Sequence, residues 1–361
     1  MVEARSIEAL SVCFTAGAFA GTVVAGGAAC TVSAAALVLA AVSVLLGKRL
    51  LSLKEPVSTG IILGSFLLLG FFSALSSAIT TYPEADSFRD GLPLRAVEAL
   101  RALIGSIPFP RAETAPLLTA LLTGDRSGLA GETVAAFRGS GASHILALSG
   151  LHMGVLYLII GKLLSLAGNT PAVRAVRSLV CIGAAAFFTL MTGASPSLVR
   201  AFLFILINEV AALTGRRRKP SRVLCLALLV QVVLDPGVLH SLGFQLSYLA
   251  MGGILLVYPA LEKWYPDSGK WDPLSRIWKA ATLSISCQLT TAPLVWLRFH
   301  TFPKYFLLTN LLAIPLTSAI MGTAVLTLIL WALGCCPGLL ISATDGLCTL
   351  LQRVLEIIAS L

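Results

Sequence analysis

The sequence predicts an all-α fold, a polytopic transmembrane helical bundle of about nine to eleven helices, with room for re-entrant or broken helices and an amphipathic helix on the outer face. Three observations lead there. Hydrophobic residues make up 57% of the 361 positions and charged residues 12%, and the mean hydropathy is +0.90, which is more apolar surface than a soluble core hides. Apolar runs near the ~20 residues that cross a bilayer as a helix recur along the whole chain. Basic residues gather in a few short connections between those runs.

In order, the runs occupy 7–25, 28–46, 57–79, 144–167, 178–191, 195–213, 223–234, 239–258, 280–297, 305–333 and 339–358. Lipid offers backbone N–H and C=O groups no partner, so each run must close its own hydrogen bonds as a helix. The runs at 178–191 and 223–234 are short for a span, and 305–333 is long. Arg5 sits between Glu3 and Glu8 and a second run follows at once, so the first run reads as a membrane helix rather than a signal peptide. The eight cysteines lie in or beside the runs without ligand spacing. They read as small hydrophobes, and neither a metal nor another cofactor is expected. Three regions result: N-terminal transmembrane helices over 1–80, an outer-face polar segment with amphipathic helices over 81–143, and a transmembrane core over 144–361.

Charge placement supplies an orientation. Lys48, Arg49 and Lys54 follow the second run, Arg174 and Arg177 precede the fifth, and Arg216, Arg217, Arg218, Lys219 and Arg222 follow the sixth. The positive-inside bias puts those loops and the N-terminus in the cytoplasm and residues 80–143 outside. Within that outer segment, 88–107 spaces Leu94, Val97, Leu100, Leu103 and Ile104 as one helical face, which suits an amphipathic helix lying on the bilayer. The net charge of +9 sits mostly in the inner loops. Topology explains that excess, and attraction of phosphate at an inner pore mouth would use it.

Three stretches place polar groups inside apolar runs. In "GSGASHILALSGLHMGVL", with His144 as zero on a helix, His152 falls near ~80° and Ser149 near ~140°, whereas Gly150, Gly154 and Gly161 fall between ~240° and ~280°. A glycine face admits a neighbouring helix, and the opposite face carries groups that avoid lipid, so His144, Ser149 and His152 are candidates to line an aqueous path or to bond neighbouring helices. In "TGASPSLVRAFLFILINEV", Ser197, Arg200 and Asn208 share a face. An arginine there costs roughly 2.5 kcal/mol or more if it meets lipid, so Arg200 neutralises something, faces water, or snorkels to the outer interface. In "DPGVLHSLGFQLSYLAMGG", Asp235-Pro236-Gly237 makes a turn, after which His240 and Ser247 share one side of a helix and Gln245, Tyr248 and Gly252 another. With the short run before it, this region suits a re-entrant pair bordering a cavity or a tilted span.

In this order, "TGDRSGLAGETVAAFRGSGASHILALSGLHMGVL", "MTGASPSLVRA" and "DPGVLHSLGFQLSYLAMGGI" resemble the competence domain of the ComEC family, an inner-membrane channel for single-stranded DNA in natural transformation. The resemblance covers residues 116–333. It matches Gly124, Asp125 and Arg126 to the family's GDR element, and Gly141, His144, Leu148, Ser149, Gly150, Leu151 and His152 to its next element. Gly193, Ser195, Pro196, Arg200 and Ala201 match the third, and Asp235, Pro236, Gly243, Phe244, Gln245, Leu246 and Ser247 the fourth. It implies a multi-pass protein of the inner (plasma) membrane with single-stranded DNA as partner, and for such a strand the polar residues that are candidates to line the path are Asp125, Arg126, Arg138, His144, Ser149, His152, Arg200, Asn208, Gln245 and Tyr248. Such a path needs cations for phosphates and hydrogen-bonding or aromatic groups for bases.

Family members also carry an OB-like module and a metallo-β-lactamase-type domain, and neither is expected here. The connection 47–56 is too short for an OB fold, and no H-x-H-x-D-H cluster appears. A bare membrane core would work with a separate nuclease, an outer-face DNA receptor, a cytoplasmic motor or the membrane potential, and membrane lipids. No enzymatic chemistry is expected, and Gly154 to Lys162 does not have the spacing of a P-loop, so nucleotide hydrolysis is not expected of this chain. Two alternatives remain in view. A small-solute transporter would use Arg200 or Glu209 with helices broken at Pro196 and Asp235-Pro236. An intramembrane serine protease would need Ser149 activated by a histidine such as His152, His240 or His300.

Overall fold

The computed structural model describes residues 5–24, 64, 66–71, 73–74, 91–166, 168, 170–215, 219–265, 272–300 and 303–361. Among them the chain is helical, with no strand. The helices are α1 (Arg5–Val24), α2 (Leu92–Ser106), α3 (Thr114–Thr123), α4 (Gly131–Gly139), α5 (Ser143–Leu146), α6 (Gly150–Ser165) and α7 (Pro171–Met191). There follow α8 (Pro196–Leu213), α9 (Pro220–Leu234), a 3-10 turn (Pro236–His240), α10 (Leu242–Leu256), α11 (Tyr258–Glu262), α12 (Pro273–Phe299), α13 (Phe306–Ala332) and α14 (Gly338–Ala359). Five segments are long and apolar enough to cross a membrane: Pro171–Met191, Pro196–Leu213, Leu242–Glu262, Pro273–Phe299 and Phe306–Ala332. The all-α, polytopic fold class is therefore borne out. The run at 28–46 and most of that at 57–79 lie outside the described residues.

Helix starts follow local chemistry. Proline occupies the first turn of α2, α7, α9 and α12, where its missing N–H costs nothing. Thr170 caps α7 by accepting from Val173 N at 3.3 Å, and Asp272 caps α12 by accepting from Leu274 N at 2.8 Å. The first of these caps explains why the run at 178–191 makes a full span: α7 begins seven residues earlier, among Arg174 and Arg177. The long run at 305–333 is one 27-residue helix with Pro315 inside it. The run at 144–167 is not one helix. Ala147 and Ser149 adopt extended backbone, φ −80° ψ 127° and φ −126° ψ 170°, and part α5 from α6.

The chain divides into two compact units, Met1–Ala85 with Leu203–Gln245 and Asp86–Phe202 with Leu246–Leu361. In the first, α1 packs on α9 and on the 3-10 turn, and Phe19 meets the His240 ring at a centroid distance of 6.0 Å. Gly17 and Gly70 let α1 touch the helical stretch 66–71 backbone to backbone. A Cβ at Gly17 would stand 1.8 Å from the Leu67 carbonyl oxygen, and one at Gly70 1.9 Å from that of Phe14.

In the second unit the core forms around α3. Leu117, Ala120 and Leu121 are fully buried, together with Ile104 of α2, Phe137 of α4, Ile320 of α13 and Leu351 and Leu355 of α14. So the region between the third and fourth apolar runs, although its sequence is the most polar, supplies the most enclosed helix of this unit. Asp345 of α14, 6% exposed, fastens it. Its Oδ1 accepts from Arg111 N at 3.3 Å and from Thr114 Oγ1 at the start of α3. Arg111 also reaches Thr349 Oγ1 through Nη1.

Candidate functional site

Arg200 gathers the three polar stretches. It stands one turn into α8, and its Nη1 donates to the Ser247 carbonyl of α10. The guanidinium carbon lies 5.9 Å from the centroid of the Tyr248 ring, within cation–π range. One turn back, Ser197 Oγ lies 3.3 Å from Ser247 Oγ. On the other side stands α6, where a Cβ at Gly150 would fall 3.5 Å from Arg200 Nη2 and 3.6 Å from Ala201 Cβ. Gly150 thus lets α6 approach α8 as its glycine face suggested, whereas Gly154 and Gly161 face open space. Gly253 holds α10 against α12, since a Cβ there would stand 2.3 Å from the Ser286 carbonyl oxygen. That approach brings Cys287 Sγ to 3.9 Å from the Ala250 carbonyl. Among the described residues no carboxylate lies within ion-pair distance of Arg200. A cation inside apolar helices, satisfied by one carbonyl and one ring face, keeps donors for something else.

Ser149 and His152 form the start of α6. Ser149 Oγ accepts from Leu151 N at 3.3 Å, while His152 Nδ1 accepts from Ser149 N at 3.2 Å, a capping box with histidine in the usual place of glutamate. That backbone donor fixes the proton on Nε2 in the neutral ring. Nε2 meets no partner among the described residues, and the ring is only 1% exposed. Ser149 Oγ is 3.2 Å from the same Nδ1, but Nδ1 already holds the backbone N–H, so the pair reads as a cap. His300 stands at the end of α12 against Trp296, ring centroids 6.4 Å apart.

The other candidates are engaged locally. Asp125 pairs with Arg101 of α2 at 2.9 Å and accepts from Ser127 N at 3.0 Å. Arg126 Nε donates to the Leu146 carbonyl at 3.3 Å. Gly124, in the left-handed conformation at φ +80°, ends α3 and turns the chain into these residues. His144 Nδ1 lies 3.2 Å from the Gly141 carbonyl, and Arg138 is exposed in the last turn of α4. Asn208 Nδ2 donates to Phe204 O of its own helix at 2.8 Å. Gln245 Nε2 donates to Leu239 O at 2.7 Å, closing the 3-10 turn. Arg200 and Tyr248 thus stand together beside Gly150, and Asp125 and Arg126 beside the extended segment that leads into α6. Asn208 and Gln245 each donate to nearby backbone.

Residues 121–361 match the family described as Competence protein. The chain belongs to the competence protein family. Among curated proteins it is similar to ComE operon protein 3 of Bacillus subtilis (strain 168), 27% identical over 245 residues, 67% of this chain and 30% of that protein. It is also similar to Uncharacterized protein YcaI of Escherichia coli (strain K12), 26% identical over 207 residues, 55% of this chain and 26% of that protein. The chain therefore spans under a third of the length of these curated relatives. No solved structure matches it.

The competence-family match takes in the GDR turn, the α6 cap and the Arg200 cluster. Sequence reasoning missed Cys287, Arg101 and Asp345. Cys287 is one of eight scattered cysteines, although Ser284, Gln288 and Thr291 share its side of the helix and mark a polar stripe in that run. Asp345 was legible as a lone acid within the last apolar run, where an ionisable group calls for a partner.

Proposed function

We propose that this chain is the membrane core of a DNA-uptake channel, a conduit that passes single-stranded DNA across the inner membrane into the cytoplasm. One observation carries the reading: Gly150, Arg200 and Ser247–Tyr248, from three motifs far apart in sequence, meet around a guanidinium that no carboxylate among the described residues neutralises. A passing phosphodiester would take Arg200's remaining donors, and the Tyr248 ring offers a face on which bases stack. Membership of the competence family agrees with it. A nuclease, an outer-face DNA receptor and a cytoplasmic motor are the partners with which such a conduit would work.

Planar bilayers containing the purified chain are expected to conduct ions under voltage and to show transient blockades when single-stranded oligonucleotides are added. Conduction indifferent to added strands, or none at any voltage, would sink the proposal. On this reading the N-terminus lies in the cytoplasm, as the positive-inside bias of the basic loops predicts. Under that orientation a cysteine replacing exposed Lys219 reacts with an impermeant thiol reagent only after the cells are permeabilised, and reaction in intact cells reverses the topology.

A further inference from the structure

Two hydrogen bonds show how the segment before α6 lies along α13. Ser106 Oγ, at the end of α2, accepts from Trp331 Nε1 at 2.9 Å. Thr309 Oγ1 donates to the Ser140 carbonyl, which follows α4, at 2.7 Å. The two anchors stand near opposite ends of one helix, the most apolar of those able to cross a membrane. At 1.5 Å per residue they are about 33 Å apart, against about 30 Å for the hydrocarbon core of a bilayer. Helix α14 repeats the pattern. Asp345, two turns into it, holds Thr114, and Ala359, at its end, lies against Gly139, about 21 Å further along. A segment lying flat on one face of the bilayer could not touch both ends of α13.

We infer that residues 107–140 cross the bilayer, and that the turn at 124–130 lines a water-filled vestibule inside its thickness. Depth follows from α4. Its last residue lies at the end of α14 and it packs along that helix, so its first residue stands about 12 Å inward. The turn that precedes it is non-helical, and Arg126, Ser127 and Gly128 are exposed there. Irregular backbone at such depth survives only inside protein or against water, because lipid satisfies none of its N–H and C=O groups. The turn's side chains agree. Arg101 and Asp125 pair with side chains 44% and 25% exposed, and Arg126 is bound through Nε alone to Leu146, which leaves its terminal N–H groups for water or a hydrated anion. The extended backbone at 147–149 adjoins the same place, with Leu148 packed against Gly124. The start of α6 therefore also lies within the membrane, as a half-helix whose first N–H groups point toward the vestibule. Only the identity of what passes through it rests on the channel reading above.

The test uses the full chain in liposomes and cells with its eight cysteines replaced. Single cysteines are introduced at Ala112, Ser360, Ser127, Ala130 and, on an exposed apolar site of α12, Leu283. Ala112→Cys and Ser360→Cys are expected to react with an impermeant thiol reagent from opposite faces. Spin labels at Ser127→Cys and Ala130→Cys are expected to collide with a water-soluble nickel chelate several-fold more often than the label at Leu283→Cys. Labelling of Ala112→Cys and Ser360→Cys from the same face would overturn the crossing. Oxygen-dominated collisions at both turn positions, as at Leu283→Cys, would overturn the vestibule. Neither readout involves DNA, so its failure is separate from failure of the blockade experiment.

Discussion

Asp345→Ala is expected to lower the unfolding free energy in detergent micelles by about 3 kcal/mol, read as an earlier midpoint in denaturant titration. The carboxylate is 6% exposed and accepts from two donors on another part of the chain, Arg111 N and Thr114 Oγ1. Alanine leaves both without an acceptor, at about 1–3 kcal/mol for each stranded group. It also frees the start of α3, whose leucines are the centre of the second unit's core. Asp345→Asn keeps an acceptor oxygen in the same place and should retain most of the stability. An alanine variant as stable as the parent would mean that α3 is held by apolar burial alone.

That clasp marks the boundary of what could be read from residues in order. Periodicity and run length located α7, α8, α10, α12 and α13, because a membrane helix needs length and apolarity and both are written locally. The role of residues 114–123 was not legible. "TAPLLTALLT" is ten residues long, too short to span and set among charges, and only its packing against α13 and α14 makes it a core element. The face assigned to His152 rested on one continuous helix from His144. The chain instead breaks at 147–149, so angles do not carry across it, and Ser149 with His152 turns inward to cap the new start. A serine followed three residues later by a side chain able to accept was the available signal. The Arg200 cluster was half legible: the residue types stood out, but that a carbonyl of α10 would receive the guanidinium depends on how two helices sit, which spacing does not encode.

Arg200→Met is expected to shorten blockades by single-stranded DNA at least tenfold, equivalent to about 1.4 kcal/mol of interaction, with little change in the denaturation midpoint. Two effects oppose each other in stability. Methionine forfeits the hydrogen bond to the Ser247 carbonyl and the approach to the Tyr248 ring, worth about 1 kcal/mol each. It also removes a cation held between apolar helices, whose desolvation costs a comparable amount, on the order of 2 kcal/mol. These opposing effects nearly cancel, so stability and strand binding can be read apart. The dependence of blockade lifetime on salt adds a second reading, because a channel that neutralises one phosphate fewer has a shallower slope against ionic strength. Arg200→Lys keeps the charge without the planar fork and should recover part of the lifetime and most of the salt slope. A methionine variant with unchanged blockades would remove Arg200 from the path. One that unfolds would make it a brace between α8 and α10, and the convergence of the three motifs would then be architectural.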